Sequence, residues 1–243
     1  LEAVPEGDVV ITVPDGNDRE RLSAQLQLLD SLRQPRVVVC PPDQPVSLHQ
    51  QLGLPKPNKK APAEPRFEWI AARQPWRNLS PAAIEAWLKA LQALISPKGQ
   101  WRLLFSTPEI GPAAGLLAAQ QTKHKPSAVL GDDLHSLLVA MAETEAQLLA
   151  ETRASQALVS RWLASQGWRV DPTRWQEPLH LELTPARIAR WLCAGSDYRN
   201  QLEAMGHPPL TQAELQLLQQ GFERHLGQAI PQQLQHTLVI AHG

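Results

Sequence analysis

The sequence predicts an α/β fold whose sheet contains parallel strands. In the first part of the chain, short apolar and β-branched segments alternate with segments whose apolar residues recur at helical spacing. Strands that are apolar along their whole length are typical of parallel sheets with helices on both faces. This pattern predicts parallel strands at residues 9–13, 36–40, 67–71 and 101–106.

The first of these strands leads into a turn and then a helix. Pro14-Asp15-Gly16 has the composition of a turn and ends the strand. Asn17, followed three residues later by Glu20, predicts a capping box at the start of the first helix. The second strand follows that helix, which gives a strand–helix–strand unit.

Residues 41–66 interrupt the alternation, because they are rich in proline and polar residues. We expect a surface excursion there, with one short helix at Leu48–Leu52. The third strand restores the pattern, and Ser80-Pro81 predicts the start of the next helix. Ser96–Gly99 is expected to end that helix before the fourth strand.

The second half of the chain is predicted to be mainly helical, with strands near its end. The predicted elements are, in order, helices from about Gly111 to Gln166, strand pieces at 167–170 and 179–183 around a bend at Pro172–Pro178, helices at roughly 184–205 and 211–226, and a last strand at 236–241.

Composition excludes several classes of function. The 23 basic and 24 acidic residues give a net charge of −1, so the whole chain has no electrostatic attraction to nucleic acid or to an anionic membrane. No apolar run approaches the ~20 residues that a membrane span needs. The two cysteines, Cys40 and Cys193, cannot form a disulfide framework, which predicts a reducing, cytoplasmic location.

The common enzyme motifs are missing from the sequence. It contains no phosphate-binding Walker loop, no nucleophile elbow and no zinc-protease motif, and its eight histidines are scattered, so we predict no metal site. The eight tryptophans could stack on bases, but most lie in apolar segments. Trp69, Trp87, Trp101 and Trp162 are predicted to be in the core, whereas Trp76 and Trp175 are the candidates for exposed aromatic residues.

The turn after the first strand is a poor anion site. Dinucleotide-binding turns need several glycines, whereas this turn has Gly16 alone. Pro14 lacks an N–H donor, and Asp15 and Asp18 are negative where a pyrophosphate would lie. The turn is therefore predicted to cap a helix without a ligand, although a cationic or neutral ligand is compatible with it.

Several segments resemble the class I S-adenosylmethionine-dependent methyltransferases. They are Phe67–Trp76, Leu94–Pro108, Trp162–Val170 and Thr184–Leu192 continuing to Tyr198. The resemblance implies a Rossmann-like mixed sheet with flanking helices and a helical insertion before a last, antiparallel strand at 236–241. The glycine-rich motif of that family is absent, and Cys40, with Asp43 three residues later, stands where the family has an acid for the ribose hydroxyls.

The same resemblance defines a conditional cofactor site. Gln74-Pro75-Trp76 is similar to the loop that binds the target amino group in amino-methyltransferases, with Gln74 as hydrogen-bond acceptor and Trp76 as stacking ring. Our main expectation is that the domain has no catalytic residue and no cofactor, and S-adenosylmethionine is the alternative. If that cofactor binds, the candidate residues are Asp15, Gly16, Asn17, Asp43, Gln74 and Trp76.

A more particular resemblance is to the methyltransferase-like extension of bacterial replication-associated recombination ATPases of the AAA+ class. The segments that carry it include Ala3–Gly7, Pro97–Gly99, Ala142–Ala146 and Arg190-Trp191. It implies a non-catalytic accessory domain that contacts the rest of the ATPase chain, DNA or a replication protein, with ATP bound only by the preceding ATPase part. The alternative is an active S-adenosylmethionine-dependent methyltransferase.

The resemblance also sets the predicted domain organisation. We expect one domain over 1–243, with a β/α half at 1–110 and, at 111–243, a helical segment plus a closing β-hairpin with a helical insertion. Since the chain starts at Leu1 rather than Met, we expect it to be excised from a longer protein.

Two basic surfaces are candidate partner contacts, with simple solvation as the alternative for each. One is the proline-rich excursion Pro41–Pro65 with its three lysines, Lys56, Lys59 and Lys60. The other is formed by arginines of the helical insertion and the following helix, which are Arg187, Arg190, Arg199 and Arg224.

Overall fold

The structure is a computed structural model that describes residues 9–27, 34–45, 47–53, 67–76, 79–121 and 131–243. Within these ranges the chain forms six strands and eight helices. In chain order they are β1 (Val10–Val13), α1 (Gly16–Leu26), β2 (Arg36–Val39), α2 (Ser47–Gln51), β3 (Phe67–Arg73), α3 (Pro81–Gln92), β4 (Ile95–Pro108), α4 (Pro112–Gln121), α5 (Asp132–Ser165), β5 (Arg169–Glu182), α6 (Pro185–Leu192), α7 (Asp197–Ala204), α8 (Gln212–Glu223) and β6 (Ala229–His242).

The larger sheet has four strands in the order β3-β4-β6-β5. β3 and β4 are parallel, and β6 runs antiparallel to both β4 and β5. Helices α6, α7 and α8 lie in the chain between β5 and β6. The predicted mixed sheet, with a helical insertion before a last antiparallel strand, is therefore confirmed, and the last strand is longer than predicted.

β1 and β2 form a separate, two-stranded parallel sheet. The predicted parallel pairing of the first two strands is confirmed. The prediction that all the strands join one sheet is wrong for the described residues, because neither β1 nor β2 is hydrogen-bonded to β3. Each of these two strands has only four residues, so few backbone groups are available to extend the ladder.

The core of the larger sheet lies on one of its faces. Trp101, Leu103 and Phe105 alternate along β4 with at most 5% of each residue exposed. They pack with apolar residues of α3 and α5, including Leu88 and Leu163. A second core cluster joins α4, the first part of α5 and the inserted helices α6, α7 and α8.

β5 is an edge strand and is more continuous than predicted. The expected bend at Pro172–Pro178 is absent, since both prolines pair in register with β6. The two prolines are six residues apart, so the backbone nitrogens of both point to the same side of the strand. β5 is at the edge of the sheet, and proline is tolerated where that side is the unpaired one.

Other boundaries differ locally from the prediction. Ser96–Gly99, expected as a turn, lies within β4, where the pairing with β3 shifts register between Phe67 and Trp69. The predicted helix at 184–205 is two helices separated at Gly195, which has a positive φ. Ser80 caps α3 as predicted, with its hydroxyl accepting from the Ala83 N–H.

Candidate functional site

A cavity of about 630 Å³ lies between β1 and β3 and extends to the loop that follows β3. Its wall includes β1 with Pro14, Cys40 and Pro42 after β2, most of β3 with Trp69 and Arg73, and the segment Gln74–Trp76 after β3. The rest of the wall is mainly aliphatic and aromatic. Ligands of open α/β sheets bind outside the carboxyl ends of the strands, so this cavity is the candidate functional site.

The turn after β1 is a helix cap. The Asp15 side chain accepts a hydrogen bond from the Asp18 N–H at 2.8 Å, and Asp15 is the N-cap of α1. The predicted capping box at Asn17 is therefore wrong by two residues. Asp18 in turn forms an ion pair with Arg21 at 2.7 Å, so the carboxylates of this turn have partners within their own helix.

Of the six conditional cofactor residues, the structure brings two to the cavity wall. Gln74 and Trp76 line it, whereas Asp15, Gly16, Asn17 and Asp43 do not. Asp43 follows Pro42, which does line the cavity, and is exposed.

The Gln74–Trp76 loop has a strained backbone. Gln74 has a φ of 51° and Trp76 a φ of 59°, which L-residues rarely adopt. Such strain costs on the order of 1–3 kcal/mol per residue and persists where the surroundings impose it. Here the Gln74 N–H donates to the Leu104 carbonyl at 2.7 Å, and the Gln74 Nε2 donates to the Ser106 carbonyl.

These hydrogen bonds orient the Gln74 amide. Because its nitrogen is bound to the end of β4, its oxygen is the remaining acceptor and has no partner among the described residues. Trp76, predicted to be exposed, is half-buried and packs against the core of the larger sheet and against the cluster beneath the two-stranded sheet. That prediction is wrong, since the turn folds its indole ring between two sets of apolar side chains.

A second cavity, of about 820 Å³, lies on the other side of the same loop. The loop, α3, α5 and α7 contribute to its wall, which contains several polar side chains: Glu151, Thr152, Ser155, Gln156, Asp197 and Asn200. Gln74, Pro75 and Trp76 line both cavities. The loop therefore forms part of the wall of both cavities, and the second also contains the carboxylates of Glu151 and Asp197.

Cys40 is a neutral group in the first cavity. Burial raises the pKa of its thiol, and the hydrogen bond with the Ser47 hydroxyl, at 3.3 Å, lowers that pKa by less. A protonated thiol is a weak nucleophile and cannot replace the carboxylate that binds ribose hydroxyls. Cys193 is exposed, and both thiols are free.

The tryptophan predictions have mixed outcomes. Trp87 and Trp101 are buried and Trp175 is 41% exposed, as predicted. Trp69, predicted to be in the core, is 45% exposed because it lies on the opposite face of the sheet from α3 and α5. Trp162 is only half-buried.

The sequence did not reveal a buried acid, Glu145, that holds three elements together. It is 3% exposed, and its carboxyl oxygens accept from the N–H groups of Ala113 and Ala114, at 2.8 and 3.1 Å, and from the Tyr198 hydroxyl, at 2.5 Å. Burial raises the pKa of Glu145 even though these donors lower it, and burial beside this carboxyl holds the pKa of Tyr198 well above its usual value. Glu145 therefore caps α4 and ties α7 to α5.

A cluster across β4, β6 and β5 was also missed. The Ser106 hydroxyl is hydrogen-bonded to His236 Nδ1 at 2.9 Å, and His236 Nε2 lies 3.0 Å from the Glu177 carboxylate. Trp175 stacks on the His236 ring, with centroids 4.9 Å apart. Sequence spacing carries no signal for this cluster, since Ser106 and His236 are 130 residues apart.

The two predicted basic surfaces are only partly described. Lys56, Lys59 and Lys60 lie outside the described residues. Arg187 donates to the Glu182 carbonyl and Arg199 donates to the Leu192 carbonyl at 3.3 Å. The other two arginines, Arg190 and Arg224, are exposed.

Within the described ranges, no group of three or more histidine, cysteine, aspartate or glutamate side chains could hold a metal ion. No helix there is both long and apolar enough to cross a membrane.

No protein-family model and no curated protein sequence matches the chain. Solved structures do resemble it. The YcgJ protein of Bacillus subtilis has 13% identity and a TM-score of 0.44, covering 97% of this chain and 82% of that one. The cyclopropane synthase MmaA2 of Mycobacterium tuberculosis has 15% identity and a TM-score of 0.37, covering 96% and 70%. The mycolic acid cyclopropane synthase CmaA1, complexed with SAH and CTAB, has 11% identity and a TM-score of 0.40, covering 97% and 70%.

At these identities and scores, the similarities assign neither a family nor an activity to this chain. The fold class rests on the topology of the larger sheet, with its parallel β3 and β4 and its antiparallel last strand β6.

Proposed function

We propose that the chain binds S-adenosylmethionine in the first cavity and transfers its methyl group to an amine held by the Gln74–Trp76 loop. The observation that supports this proposal is the strained loop between two cavities at the end of β3. A group-transfer site needs two ligands to meet at one point, and this loop is the wall that both cavities share.

The first cavity is compatible with this cofactor. Its aromatic and aliphatic wall suits an adenine ring. S-adenosylmethionine has no phosphate and carries a positive sulfonium, so it needs no phosphate-binding glycine turn. The turn that disfavours a pyrophosphate, with Pro14 and Asp15, therefore does not repel it. Asp43, next to Pro42 of the wall, is the candidate acid for the ribose hydroxyls.

The roles of the protein side chains follow from the loop. S-adenosylmethionine supplies an electrophilic methyl group when bound. The Gln74 amide oxygen accepts an N–H of the acceptor amine and orients the nitrogen lone pair, and the Trp76 ring packs against the acceptor. Glu151 and Asp197, in the wall of the second cavity, are the carboxylates that would accept the proton that the amine loses.

Calorimetric titration with S-adenosylmethionine and its demethylated product tests the proposal. We expect micromolar binding by the wild type and by Gln74→Gly, which accepts the positive φ without strain but lacks the amide. In a transfer assay with small amine acceptors, only the wild type should be active. Absence of binding at millimolar cofactor would overturn the proposal.

The second candidate is a non-catalytic accessory domain of a replication or recombination ATPase. It is favoured by the position of four of the six conditional cofactor residues, Asp15, Gly16, Asn17 and Asp43, outside the cavity wall. For this candidate the titration gives no heat.

A further inference from the structure

On the face of the larger sheet opposite α3 and α5, the rows from Trp69 to Trp175 are exposed, and α4 packs on this face only farther along β6, against Ile230. Helices α3 and α5 pack on the face that contains Trp101 and Leu103. On the opposite face, Trp69 is 45% exposed and Trp175 is 41% exposed. These are two of the four large hydrophobic residues that are exposed in the described ranges, and both of the aromatic ones.

Neighbouring side chains hold each of these two indoles on the sheet. The Arg102 guanidinium lies 4.2 Å from the centre of the Trp69 ring. Trp175 stacks on His236 with 16° between the ring planes, and His236 is itself held by its hydrogen bonds. A ring fixed before binding loses little conformational entropy when a ligand stacks on it, so the two indoles are preorganised.

Positive charge surrounds Trp69 on this face. Trp69 of β3 and Arg169 of β5 lie in the same row of paired residues. Among the rows of the same face, Arg102 of β4 lies one row farther along the sheet, and Arg73 of β3 lies two rows farther. All three arginines are exposed. The one acid in these rows, Asp171, lies 3.5 Å from Arg169. This half of the face is therefore net positive, although the whole chain has a net charge of −1.

We propose that this face, defined by Trp69, Arg73, Arg102, Arg169 and Trp175, binds single-stranded DNA. Unpaired bases expose flat surfaces that stack on indole rings, and arginines neutralise the phosphates between them. A duplex hides those base surfaces.

Gln100 and Ser106, two polar side chains of this face, do not select for RNA. The Gln100 and Ser106 side chains are already hydrogen-bonded to neighbours, so neither is free to select for a 2′-hydroxyl group. RNA is therefore expected to gain no advantage.

The distance between the two rings sets the length of the ligand. Trp69 on β3 and Trp175 on β5 are separated by three strand spacings across the sheet. Along the strand direction they are separated by six residues, because Trp69 is in the row of Arg169. With a strand spacing of about 4.8 Å and about 3.3 Å per residue, the rings lie roughly 24 Å apart. A stacked strand rises about 3.4 Å per nucleotide, so about seven nucleotides connect them. A four-nucleotide DNA cannot reach both rings.

Fluorescence anisotropy with labelled oligothymidylate of twelve nucleotides and the full chain tests the proposal at two salt concentrations. Trp69→Ala and Trp175→Ala should each weaken binding by roughly 5- to 150-fold. Trp69→Phe and Trp175→Phe keep an aromatic ring and should stay within about threefold of the wild type. Leu226→Ala, which removes an exposed apolar side chain elsewhere, is the matched control and should bind like the wild type.

The salt dependence of binding provides a further readout. Arg73→Gln should lower the slope of log affinity against log salt by about 0.7. The proposal is overturned if the twelve-nucleotide DNA does not bind at low salt, if both alanine variants bind like the wild type, or if duplex DNA or oligouridylate binds more tightly. The proposal does not depend on methyl transfer, but Trp69 and Arg73 also line the first cavity. Trp175→Ala, at a residue outside that wall, therefore separates the two results: it should weaken DNA binding and leave the cofactor titration unchanged.

Discussion

The two sheets of this protein differ in how well they are covered. In the larger sheet, Trp101 and Leu103 of β4 are completely buried between the sheet and its helices. In the smaller sheet, α1 packs beside β1 and β2, but none of the residues of α1 is buried. Both regions have the sequence pattern of a strand–helix–strand unit, so this pattern predicts the elements but not how well they are packed.

The difference has a physical cause in the number of packing partners. An isolated helix as short as α1, with 11 residues, is marginal in water, and most helix stability in proteins comes from tertiary packing. α5, with 34 residues, contacts the larger sheet and also the inserted helices. We therefore expect β1, α1 and β2 to open locally at a lower free energy than the larger sheet.

The largest expected effect is the loss of a core side chain from the larger sheet. Leu103→Ala removes a completely buried leucine and should lower the free energy of unfolding by about 2–5 kcal/mol. Ile11→Ala, in the half-buried β1, should cost less than half as much. Urea unfolding measures both values, and equal losses would contradict the difference between the two sheets.

A ligand in the first cavity should stabilise β1 and so reduce the difference between the two sheets in the free energy of local opening. At a concentration of 100 times its dissociation constant, the bound cofactor adds about 2.7 kcal/mol to the free energy of unfolding. Because β1 and Cys40, the residue after β2, form part of the cavity wall, the amide of Val13 should exchange more slowly when the ligand is added. Hydrogen exchange with and without the demethylated cofactor measures this change. Unchanged exchange at Val13 despite measured binding would place the ligand elsewhere.

A smaller effect is expected at Glu145, in the well-packed region. Glu145→Gln replaces one acceptor oxygen with an NH₂ group and should lower the free energy of unfolding by about 1–3 kcal/mol. The raised pKa of Glu145 means that the unfolded chain releases this proton at lower pH than the folded chain does. The contribution of this group to stability is therefore greatest below its ordinary pKa of 4.5 and declines as the pH rises above that value.

Urea unfolding of the wild type and Glu145→Gln across this pH range tests the sign. The variant should lack the part of the decline that is due to Glu145. Tyr198→Phe keeps the carboxyl group and is the matched control, in which the decline should persist. An identical pH dependence in the wild type and Glu145→Gln would refute this assignment.

The smallest effects are expected from removing a helix N-cap, either of α8 in the well-packed region or of α1 beside the smaller sheet. Thr211 caps α8 in a capping box with Glu214, whose pKa is lowered by hydrogen bonds from the Thr211 N–H and hydroxyl. Thr211→Ala should lower the free energy of unfolding by about 1 kcal/mol, whereas Thr211→Ser should have little effect. Asp15→Ala removes the cap of α1 and should cost less in global unfolding, because α1 can fray while the core stays folded. A larger loss for Asp15→Ala would show that α1 is packed more firmly than its burial indicates.

The candidate site was only partly predictable from the sequence. Gln74 and Trp76 were found because a short motif follows a strand, and strand ends meet at one edge of a parallel sheet. The positive φ at both positions could not be predicted, since neither residue is glycine. The second cavity was missed as well, because its wall comes from elements far apart in the chain.

The exposed face was missed for a related reason. Trp69 lies in an apolar segment, and an apolar segment at a strand position predicts burial on both faces. In the structure, α3 and α5 pack on the other face of this part of the larger sheet, so the same indole is exposed. Trp175 was predicted to be exposed because it follows Arg174 in a turn-like segment. The exposure is confirmed, although the residue lies in the edge strand β5.

By itself, the sequence determined the order and type of most elements, because strand and helix patterns depend on residues that are close along the chain. The cap at Ser80 and the parallel pairs β1–β2 and β3–β4 are of this kind. Tertiary structure alone decided the separation of the two sheets and the buried link between Glu145 and Tyr198. Both depend on which surfaces meet after folding, and that choice is made by packing over the whole chain and not by any local pattern.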